Sequence, residues 1–260
     1  MAEYLLGIDN GGTMSKSALY DLDGNEIATA SGKTEMIMPQ TGYTEKDMEQ
    51  FWEAVCMSTR EVIGKAGIKN TEICGVAATG HGNGIYLIDK NGKPAYNAVI
   101  STDMRASKIV QRWYSDGTFR KVHEKTIQSI WAGQPVAILK WFLENDPDVV
   151  KRSHRILSCK DYVRFLLTGE AFAEITDISG TGLLNVVEVK YDKDLLDTFG
   201  IGECFDKLPE VKGSTEICGY VTKEAAERTG LAEGTPVAGG LFDVNACAVA
   251  TGIIDDVCGE

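Results

Sequence analysis

The feature that most constrains this chain is a short apolar strand that ends in a carboxylate and a glycine turn. Residues 4–8 are mostly apolar, Asp9 follows them, and Asn-Gly-Gly-Thr comes next. A second strand-like segment, Ser15–Asp21, begins directly after the turn, so the pattern predicts a β-hairpin. A P-loop instead has the spacing Gly-x-x-x-x-Gly-Lys and a helix after it, and neither is present here.

The glycine turn is suited to binding an anion. Gly11 and Gly12 allow backbone N–H groups to approach a phosphate closely, and Thr13 and Lys16 add two donors. Asp9 can hold Mg²⁺ through water. A structural hairpin turn explains the same residues equally well when they are taken alone.

A similar pattern recurs late in the chain. An apolar run at 236–238 leads into Gly239 and Gly240, and Asp243 follows three residues later, before small residues that suit a helix start. Capping that helix is the simpler role for Asp243. Ligands in open α/β sheets bind at strand ends, however, so two glycine turns that each carry an aspartate predict one shared site.

Two polar loops lie between these turns. Residues 80–84 read Gly-His-Gly-Asn-Gly, which exposes the backbone and offers His81 and Asn83 to hydroxyl groups. Residues 101–105 include Asp103 as half of a charged pair that enters a helix. Ordinary loop chemistry is the alternative for both segments.

The remaining patterns predict an α/β domain with a mixed β-sheet flanked by helices. A capping-box-like start at Thr44 and Asp47 opens an amphipathic helix that extends to about Ala66. Apolar, β-branched strands are predicted at Ile73–Thr79 and Ile85–Asp89, with crossover helices and a further hairpin later in the chain.

Composition excludes several classes of protein. A net charge of −12 argues against a nucleic-acid partner, and no apolar run approaches the length of a membrane span. The N-terminus does not resemble a secretory leader. The three histidines share no metal-ligand spacing. The seven cysteines are scattered, as expected for reduced, buried thiols in the cytosol: Cys56, Cys74, Cys159, Cys204, Cys218, Cys247 and Cys258.

Taken in order, these motifs resemble the N-terminal half of the FGGY family of carbohydrate kinases, within the superfamily of actin-like, sugar kinase and Hsp70 ATPases. The resemblance covers essentially the whole chain. It rests on GIDNGGTMSKSALYD, GHGNGIYLID, STDMRA, SCKDYVRFLLTGE with TDISGT, and GGLFDVNACAVATG. Within the family, GQPVAILKWFLEND and the run from GSTEICGYVT to GTPVAGGLFD resemble L-xylulose kinases.

This resemblance implies an actin-like, ribonuclease H-like ATPase domain over residues 1–260 that helps transfer a phosphoryl group from ATP to a sugar hydroxyl. It implies ATP and Mg²⁺ as cofactors, a small-molecule sugar as partner, a cytoplasmic location, and a homodimer as one assembly found in the family. Asp243 would be the general base, and Asp9 would hold Mg²⁺ through water.

The resemblance also assigns residues to the two ligands. The phosphates of ATP would meet Gly11, Gly12, Thr13 and Lys16. The sugar would meet His81, Gly82, Asn83, Asp103, Trp131 and Asp243.

Family members carry a second, adenosine-binding lobe of similar size. We therefore expect this chain to be either an excised first lobe or an incomplete gene product, and to have little kinase activity alone. Three departures from the family pattern bear on the sugar pocket: His-Gly-Asn at residues 81–83, Ser101 and Thr102 where a Trp often stands, and Ile138 in place of a Lys.

Those departures leave the substrate open among ketopentoses such as xylulose, and glycerol, ribulose or 3-keto-gulonate. Two other classes also remain: an actin-like ATPase, which does not predict the sugar loop, and a sugar-binding lobe without catalysis.

Overall fold

The computed structural model describes residues 3–253 of the chain, so Cys258 lies outside the described part. The strands are β1 (Tyr4–Asn10), β2 (Met14–Asp21), β3 (Glu26–Lys33), β4 (Glu45–Lys46), β5 (Ile73–Gly80), β6 (Tyr86–Ile88), β7 (Ala98–Val99), β8 (Arg155–Leu157), β9 (Phe172–Glu174), β10 (Leu184–Asn185), β11 (Lys190–Tyr191), β12 (Glu210–Lys212), β13 (Ile217–Tyr220), β14 (Pro236–Ala238) and β15 (Leu241–Phe242). The helices are α1 (Met48–Ala66), α2 (Ser107–Ser115), α3 (Thr118–Thr126), α4 (Pro135–Asn145), α5 (Pro147–Arg152), α6 (Cys159–Thr168), α7 (Ile175–Ile178), α8 (Lys193–Phe199), α9 (Lys223–Thr229) and α10 (Asp243–Ala250).

Strand β1 lies inside the main sheet, whose order is β13-β14-β5-β1-β2-β3. It pairs antiparallel with β2 over its whole length, and β2 pairs antiparallel with β3. On its other side β1 runs parallel to β5, and both β14 and β15 run parallel to the far edge of β5. The predicted hairpin and the predicted mixed sheet are therefore confirmed.

The two faces of this sheet differ in burial. Leu6 and Ile8 of β1 and Leu19 of β2 are buried in one core, together with Phe51 and Val55 of α1. Because successive side chains of a strand point to opposite faces, Gly7 and Asp9 lie on the other face, where burial is only partial. The carboxylate of β1 is thus left accessible while its strand is anchored from behind.

Helix α1 begins later than predicted. The backbone of residues 45–46 pairs with β7 as β4, so the chain is still extended there. Asp47 is the N-cap and accepts a hydrogen bond from the Gln50 backbone N–H at 2.8 Å. The capping box at Thr44 is therefore wrong, and Asp47 caps the helix through its own side chain.

A second apolar core is built from α2, α3, α4, α5 and α8. Trp113, Leu139, Phe142 and Phe199 are buried in it. Strand β6 separates the two cores, since Leu87 packs into the second core whereas its neighbours on either side pack into the first. The loop at 80–84, which enters β6, is consequently held against both cores.

Two further sequence predictions concern membrane segments and thiols. Within residues 3–253, no helix combines the length and the apolar character needed to cross a bilayer. Six cysteines of this part are free thiols, four of them buried.

Candidate active site

Asp9 and Asp243 flank the carboxyl end of β5. Asp9 is level with Thr79 on one side of that strand, and Phe242, which precedes Asp243, is level with Gly80 on the other. Neighbouring strands are spaced by about 4.8 Å, so the strands that deliver the two carboxylates are about 10 Å apart. The predicted convergence of two strand ends is what the fold produces.

The environment of the Asp243 carboxylate raises its pKa. Partial burial raises the pKa of Asp243 above its usual 3.8, the Asp9 carboxylate raises it further, and a hydrogen bond from the Val244 N–H opposes the rise. That bond, at 2.8 Å, is local to the first turn of α10. A carboxylate with a raised pKa is a better proton acceptor for a hydroxyl group.

The turn that leads to Asp243 requires glycine. Gly240 has a φ of +83°, and a β-carbon there would lie 2.0 Å from the Ala78 carbonyl oxygen. The missing side chain allows the turn to pass directly over β5. This close approach brings Asp243 to the end of the strand.

The tip of the first hairpin carries free side-chain donors, although its Gly11 N–H is used within the turn. The turn is closed by a hydrogen bond from the Gly11 N–H to the Met14 carbonyl at 2.9 Å. Thr13 and Lys16 are exposed, and Lys16 stands opposite Asp9 in the β1–β2 register. Among residues 3–253, no hydrogen bond or ion pair engages the side chains of Thr13, Lys16 or Asp9. These donors and this carboxylate are available to a ligand.

A groove of about 1020 Å³ lies over the half-buried face of the sheet. Asp9 and Lys16 line it from the hairpin, Thr79 from β5, and Gly240 and Ala246 from the turn and helix that follow β14. The groove therefore extends from Asp9 and Lys16 of the hairpin to the turn that precedes Asp243.

Lys46 is a residue of this site that the sequence analysis missed. Its amino group is fully buried and donates a hydrogen bond to the Gly11 carbonyl at 2.8 Å, directly beneath the hairpin tip. Burial lowers the pKa of Lys46 below 10.5. Within the described residues no carboxylate pairs with it. A buried lysine without an ionic partner is costly to fold, and such residues are concentrated at functional sites.

His81 is buried at the end of β5 with one ring nitrogen unused. Its backbone N–H donates to the Asn10 carbonyl at 3.0 Å, and a hydrogen bond of 3.0 Å joins its Nε2 to the Tyr86 hydroxyl. Its Nδ1 has no hydrogen-bond partner in the described part of the chain. Burial lowers the pKa of His81 to about 4, and the Lys46 charge contributes, so the ring is neutral near pH 7.

Asn83 presents a second unused group in the same loop. It has a φ of +59°, in the left-handed region, and its Oδ1 is buried without a hydrogen-bond partner among residues 3–253. Buried polar atoms normally have partners, and strained loop backbone is often found where a ligand binds. Nδ1 of His81 and Oδ1 of Asn83 are therefore suited to meet hydroxyl groups.

Asp103 is placed differently from the other predicted sugar ligands. It is fully buried, and Arg105 donates to both of its oxygens, from Nε at 2.9 Å and from Nη2 at 3.0 Å. The Thr44 N–H donates to it as well, at 2.7 Å. Arg105 also pairs with Glu45 at 2.7 Å. The carboxylate is thus already occupied by the protein, and its contact with a sugar stays a prediction.

Trp131 is on a loop that touches the 80–84 segment. The Gly84 N–H donates to the Gly133 carbonyl at 2.9 Å, and the Trp131 ring is 52% exposed. A β-carbon at Gly133 would lie 1.9 Å from the Ser101 carbonyl oxygen, so the loop at 101–105 is adjacent too. The structure thus brings these three loops together, and the 80–84 loop among them contacts Asn10 at the end of β1 and Phe242 before Asp243.

The chain is similar to curated sugar kinases along nearly its whole length. It is 41% identical to a probable L-xylulose kinase of Haemophilus influenzae over 97% of this chain and 52% of the relative. It is 40% identical to the L-xylulose/3-keto-L-gulonate kinase of Escherichia coli over 98% of this chain and 51% of the relative. The chain thus spans about half the length of these curated relatives.

A solved structure agrees with this result. The crystal structure of xylulose kinase from Rhodospirillum rubrum superposes with a TM-score of 0.89 at 26% identity, over 96% of this chain and 52% of that one. The family model for the N-terminal domain of the FGGY carbohydrate kinases matches residues 4–250. The resemblance seen in the sequence motifs is confirmed, and the chain belongs to the FGGY family of carbohydrate kinases.

Proposed function

We propose that the protein phosphorylates a small sugar, a ketopentose such as xylulose or a related compound, with ATP as phosphoryl donor. The carrying observation is the pair of carboxylates, Asp9 and Asp243, on either side of the end of β5 and beside a glycine hairpin. The names of the relatives support this substrate class, and the E. coli relative keeps 3-keto-L-gulonate as an alternative.

Asp243 would act as the general base. Phosphoryl transfer needs positioning, neutralisation of charge and removal of a proton from the attacking hydroxyl. The raised pKa of Asp243 suits it to accept that proton. Its position at the start of α10, on a turn fixed against β5, supports a constant orientation toward the acceptor.

The hairpin tip would hold the transferred phosphoryl group. The backbone N–H group of Gly12 and the side chains of Thr13 and Lys16 are donors without competing partners in the described chain, whereas the Gly11 N–H is already used by the Met14 carbonyl. The buried charge of Lys46 would add attraction for an anion from behind the turn.

Asp9 would hold Mg²⁺ through water. Mg²⁺ keeps several waters and commonly uses one or two carboxylates together with substrate phosphates. Asp9 fits that requirement, because its carboxylate is half-buried, is free of other contacts and lies beside donors for phosphate. The described residues contain no cluster of three metal-ligating side chains, so most ligands would be water and phosphate. When bound, the ion would offset the negative charge of the phosphates.

The sugar would lie between the loop at 80–84 and Asp243. Nδ1 of His81 and Oδ1 of Asn83 are buried and unused, so hydroxyl groups of a sugar would complete their hydrogen bonding. Gly82, whose missing side chain makes room for the Phe242 ring, would hold this loop against the turn that carries Asp243, and Trp131 would cover an apolar face of the sugar. Asp103 would contact the sugar directly, as part of the same group of loops, or would act on it indirectly through Arg105.

We further propose that a second lobe supplies the adenosine site. The relatives are about twice as long as this chain. Helix α10 has no buried side chain although it is largely apolar, with Val244 64% exposed and Val249 52% exposed. A second lobe would cover that helix and exclude water from the groove. The free thiols in residues 3–253 support a cytoplasmic location for the protein.

The decisive experiment is Asp243→Asn in the longest natural form of the protein. Turnover with ATP, Mg²⁺ and a panel of ketoses and polyols should fall by about three orders of magnitude, because the base is lost. Sugar binding measured by calorimetry should change little. Asp23→Asn, in an exposed turn, is the matched control.

Other outcomes point to the other classes. Unchanged turnover in Asp243→Asn removes Asp243 as the base. ATP hydrolysis without any sugar binding favours an actin-like ATPase, and sugar binding without transfer in the natural protein favours a non-catalytic lobe.

A further inference from the structure

The turn that carries Asp243 has little packing of its own. Residues 241–243 are only half-buried, and α10 after them has no buried side chain. Apart from the contact of the Phe242 ring with Gly82, little apolar packing fixes the direction of the Asp243 side chain. Its orientation depends on hydrogen bonds made by the turn.

Besides its pairing with β5 and a bond from the Gly239 N–H to the Glu216 carbonyl at 2.9 Å, three further hydrogen bonds hold this turn from outside. The Phe242 N–H donates to the Thr176 hydroxyl at 2.9 Å, and the Gly240 N–H donates to the Ser214 carbonyl at 3.0 Å. Arg164 donates from Nη1 to the Gly239 carbonyl at 2.8 Å. The first of these acts on the residue that directly precedes Asp243.

Two of the three anchors meet at one buried carboxylate. Thr176 donates its hydroxyl proton to Glu174 at 2.7 Å, and the Ser214 hydroxyl donates to the other oxygen of Glu174 at 2.6 Å. Glu174 is fully buried and pairs with Lys160 at 3.1 Å. Because the carboxylate can only accept, it orients the Thr176 hydroxyl so that its lone pair faces the Phe242 N–H.

We propose that Glu174 is a positioning residue for Asp243 and acts through the hydroxyl of Thr176, with Ser214 as a second link. The inference rests on the proposed role of Asp243 as the base. Replacing the Thr176 hydroxyl by a methyl group leaves the Phe242 N–H without its acceptor and frees the turn. A displacement of about 1 Å at a reacting group can lower turnover by up to about a hundredfold.

The chain offers a matched set of variants. Thr176→Val removes the hydroxyl and keeps the shape, whereas Thr176→Ser keeps the hydroxyl. Thr229→Val is the control, since Thr229 is a buried threonine that also donates one hydrogen bond, to Ala225 at 2.7 Å, and accepts one, from Leu231 at 3.3 Å. It lies at the end of α9, outside the site.

Two measurements test the proposal. In the 260-residue chain, hydrogen exchange followed by NMR should show the Phe242 amide exchanging at least about tenfold faster in Thr176→Val than in Thr176→Ser. In the longest natural form, Thr176→Val should lower kcat by about tenfold or more while KM for the sugar stays within about twofold, and Thr176→Ser should restore kcat to within about threefold.

Several results would overturn it. Equal Phe242 exchange in the Val and Ser variants, or equal kcat, removes the positioning role; so does a loss in Thr229→Val as large as that in Thr176→Val. If Thr176→Val does not fold, Ser214→Ala is the deciding variant. It keeps the backbone carbonyl that accepts from Gly240 and loses one hydrogen bond to Glu174. A kcat equal to that of the wild type would then overturn the proposal.

The failure of this proposal differs from the failure of the proposed function. If Asp243→Asn is inactive while Thr176→Val has normal activity, the positioning role alone is contradicted. Asp243→Asn fully active sinks the base assignment, and the positioning role with it.

Discussion

Gly82 of the sugar loop lies against Phe242, so closely that a β-carbon on Gly82 would stand 2.0 Å from Cε2 of the Phe242 ring. Phe242 immediately precedes Asp243 and pairs at the end of β5. The loop proposed to bind the sugar and the turn proposed to carry the base are therefore in direct contact. A change in either one displaces the other.

Gly82→Ala should consequently impair the site and destabilise the fold. The added methyl group overlaps a ring whose backbone is hydrogen-bonded, so loop or ring must move, at a cost of about 1–3 kcal/mol. Urea unfolding of the 260-residue chain measures this cost, and calorimetry measures the loss of sugar affinity. Gly64→Ala is the control, since nothing lies within 4 Å of its β-carbon. A Gly82→Ala chain as stable as Gly64→Ala would contradict the contact.

Much of this fold was predictable because its signals are local. Apolar runs followed by turn residues predict strands that end in glycine turns. Strands β1 (Tyr4–Asn10) and β5 (Ile73–Gly80) confirm this prediction. The glycines at 240 and 82 could be noted as permissive, but the contacts that require them lie on other strands. The close contacts that these two glycines permit can be seen only in the folded structure.

The buried polar residues were not predictable in the same way. Lys46 is the second residue of the two-residue strand β4 and contacts Gly11, which is 35 residues earlier in the chain. Glu174 is linked to the Asp243 turn through Thr176, which accepts a hydrogen bond from a residue 66 positions later. Charged residues are usually solvated, so nothing in the sequence marks either residue as buried. The start of α1 was misplaced for a related reason, since pairing of β4 with β7 overrides the local capping pattern.

The neutrality of His81 predicts a pH dependence of stability. Its pKa is about 4 in the folded chain and 6.5 ordinarily, so the unfolded chain binds the extra proton between these values. Stability from this group is complete above about pH 6.5 and is lost as the pH falls toward 4, by on the order of 3 kcal/mol. Burial raises the pKa of Asp177 to about 6, which changes stability with pH in the opposite direction. This contribution is present in every variant.

Urea unfolding at pH 7 and pH 4.5 isolates this contribution. His81→Gln should lose less stability than the wild type on going to pH 4.5, because no buried imidazole has to be protonated. His123→Gln, at an exposed position, should keep the wild-type difference. A His81→Gln chain with the wild-type difference would show that the His81 ring is solvated.

Arg105 predicts a large loss of stability on substitution. Its guanidinium is buried, pairs with Asp103 and Glu45, and stacks over the Tyr43 ring at 4.4 Å. Arg105→Met leaves two carboxylates buried without a cation and should cost about 3–5 kcal/mol. Arg105→Lys loses the forked geometry and should fall between the wild type and Arg105→Met.

The control for Arg105 is an exposed arginine in an ion pair. Arg112 pairs with Glu144 at 2.6 Å on the surface, and Arg112→Met should cost less than about 1 kcal/mol. The free energy of unfolding from urea titration compares the variants. An Arg105→Met chain within about 1 kcal/mol of the wild type would mean that Asp103 is free for other ligands.

The 260-residue chain alone should bind sugar and yet release little ADP. The residues proposed for the sugar and for the base, such as His81 and Asp243, lie within the described fold, whereas the relatives have about as much chain again. Without a partner over α10 the groove stays open to water, and the nucleotide has contacts on one side only. A coupled assay for ADP with and without sugar, beside calorimetry of sugar binding, tests both halves of this prediction. The longest natural form serves as the positive control. Sugar-dependent ADP release by the 260-residue chain at the rate of that control would contradict it, and would mean that this lobe by itself completes the nucleotide site.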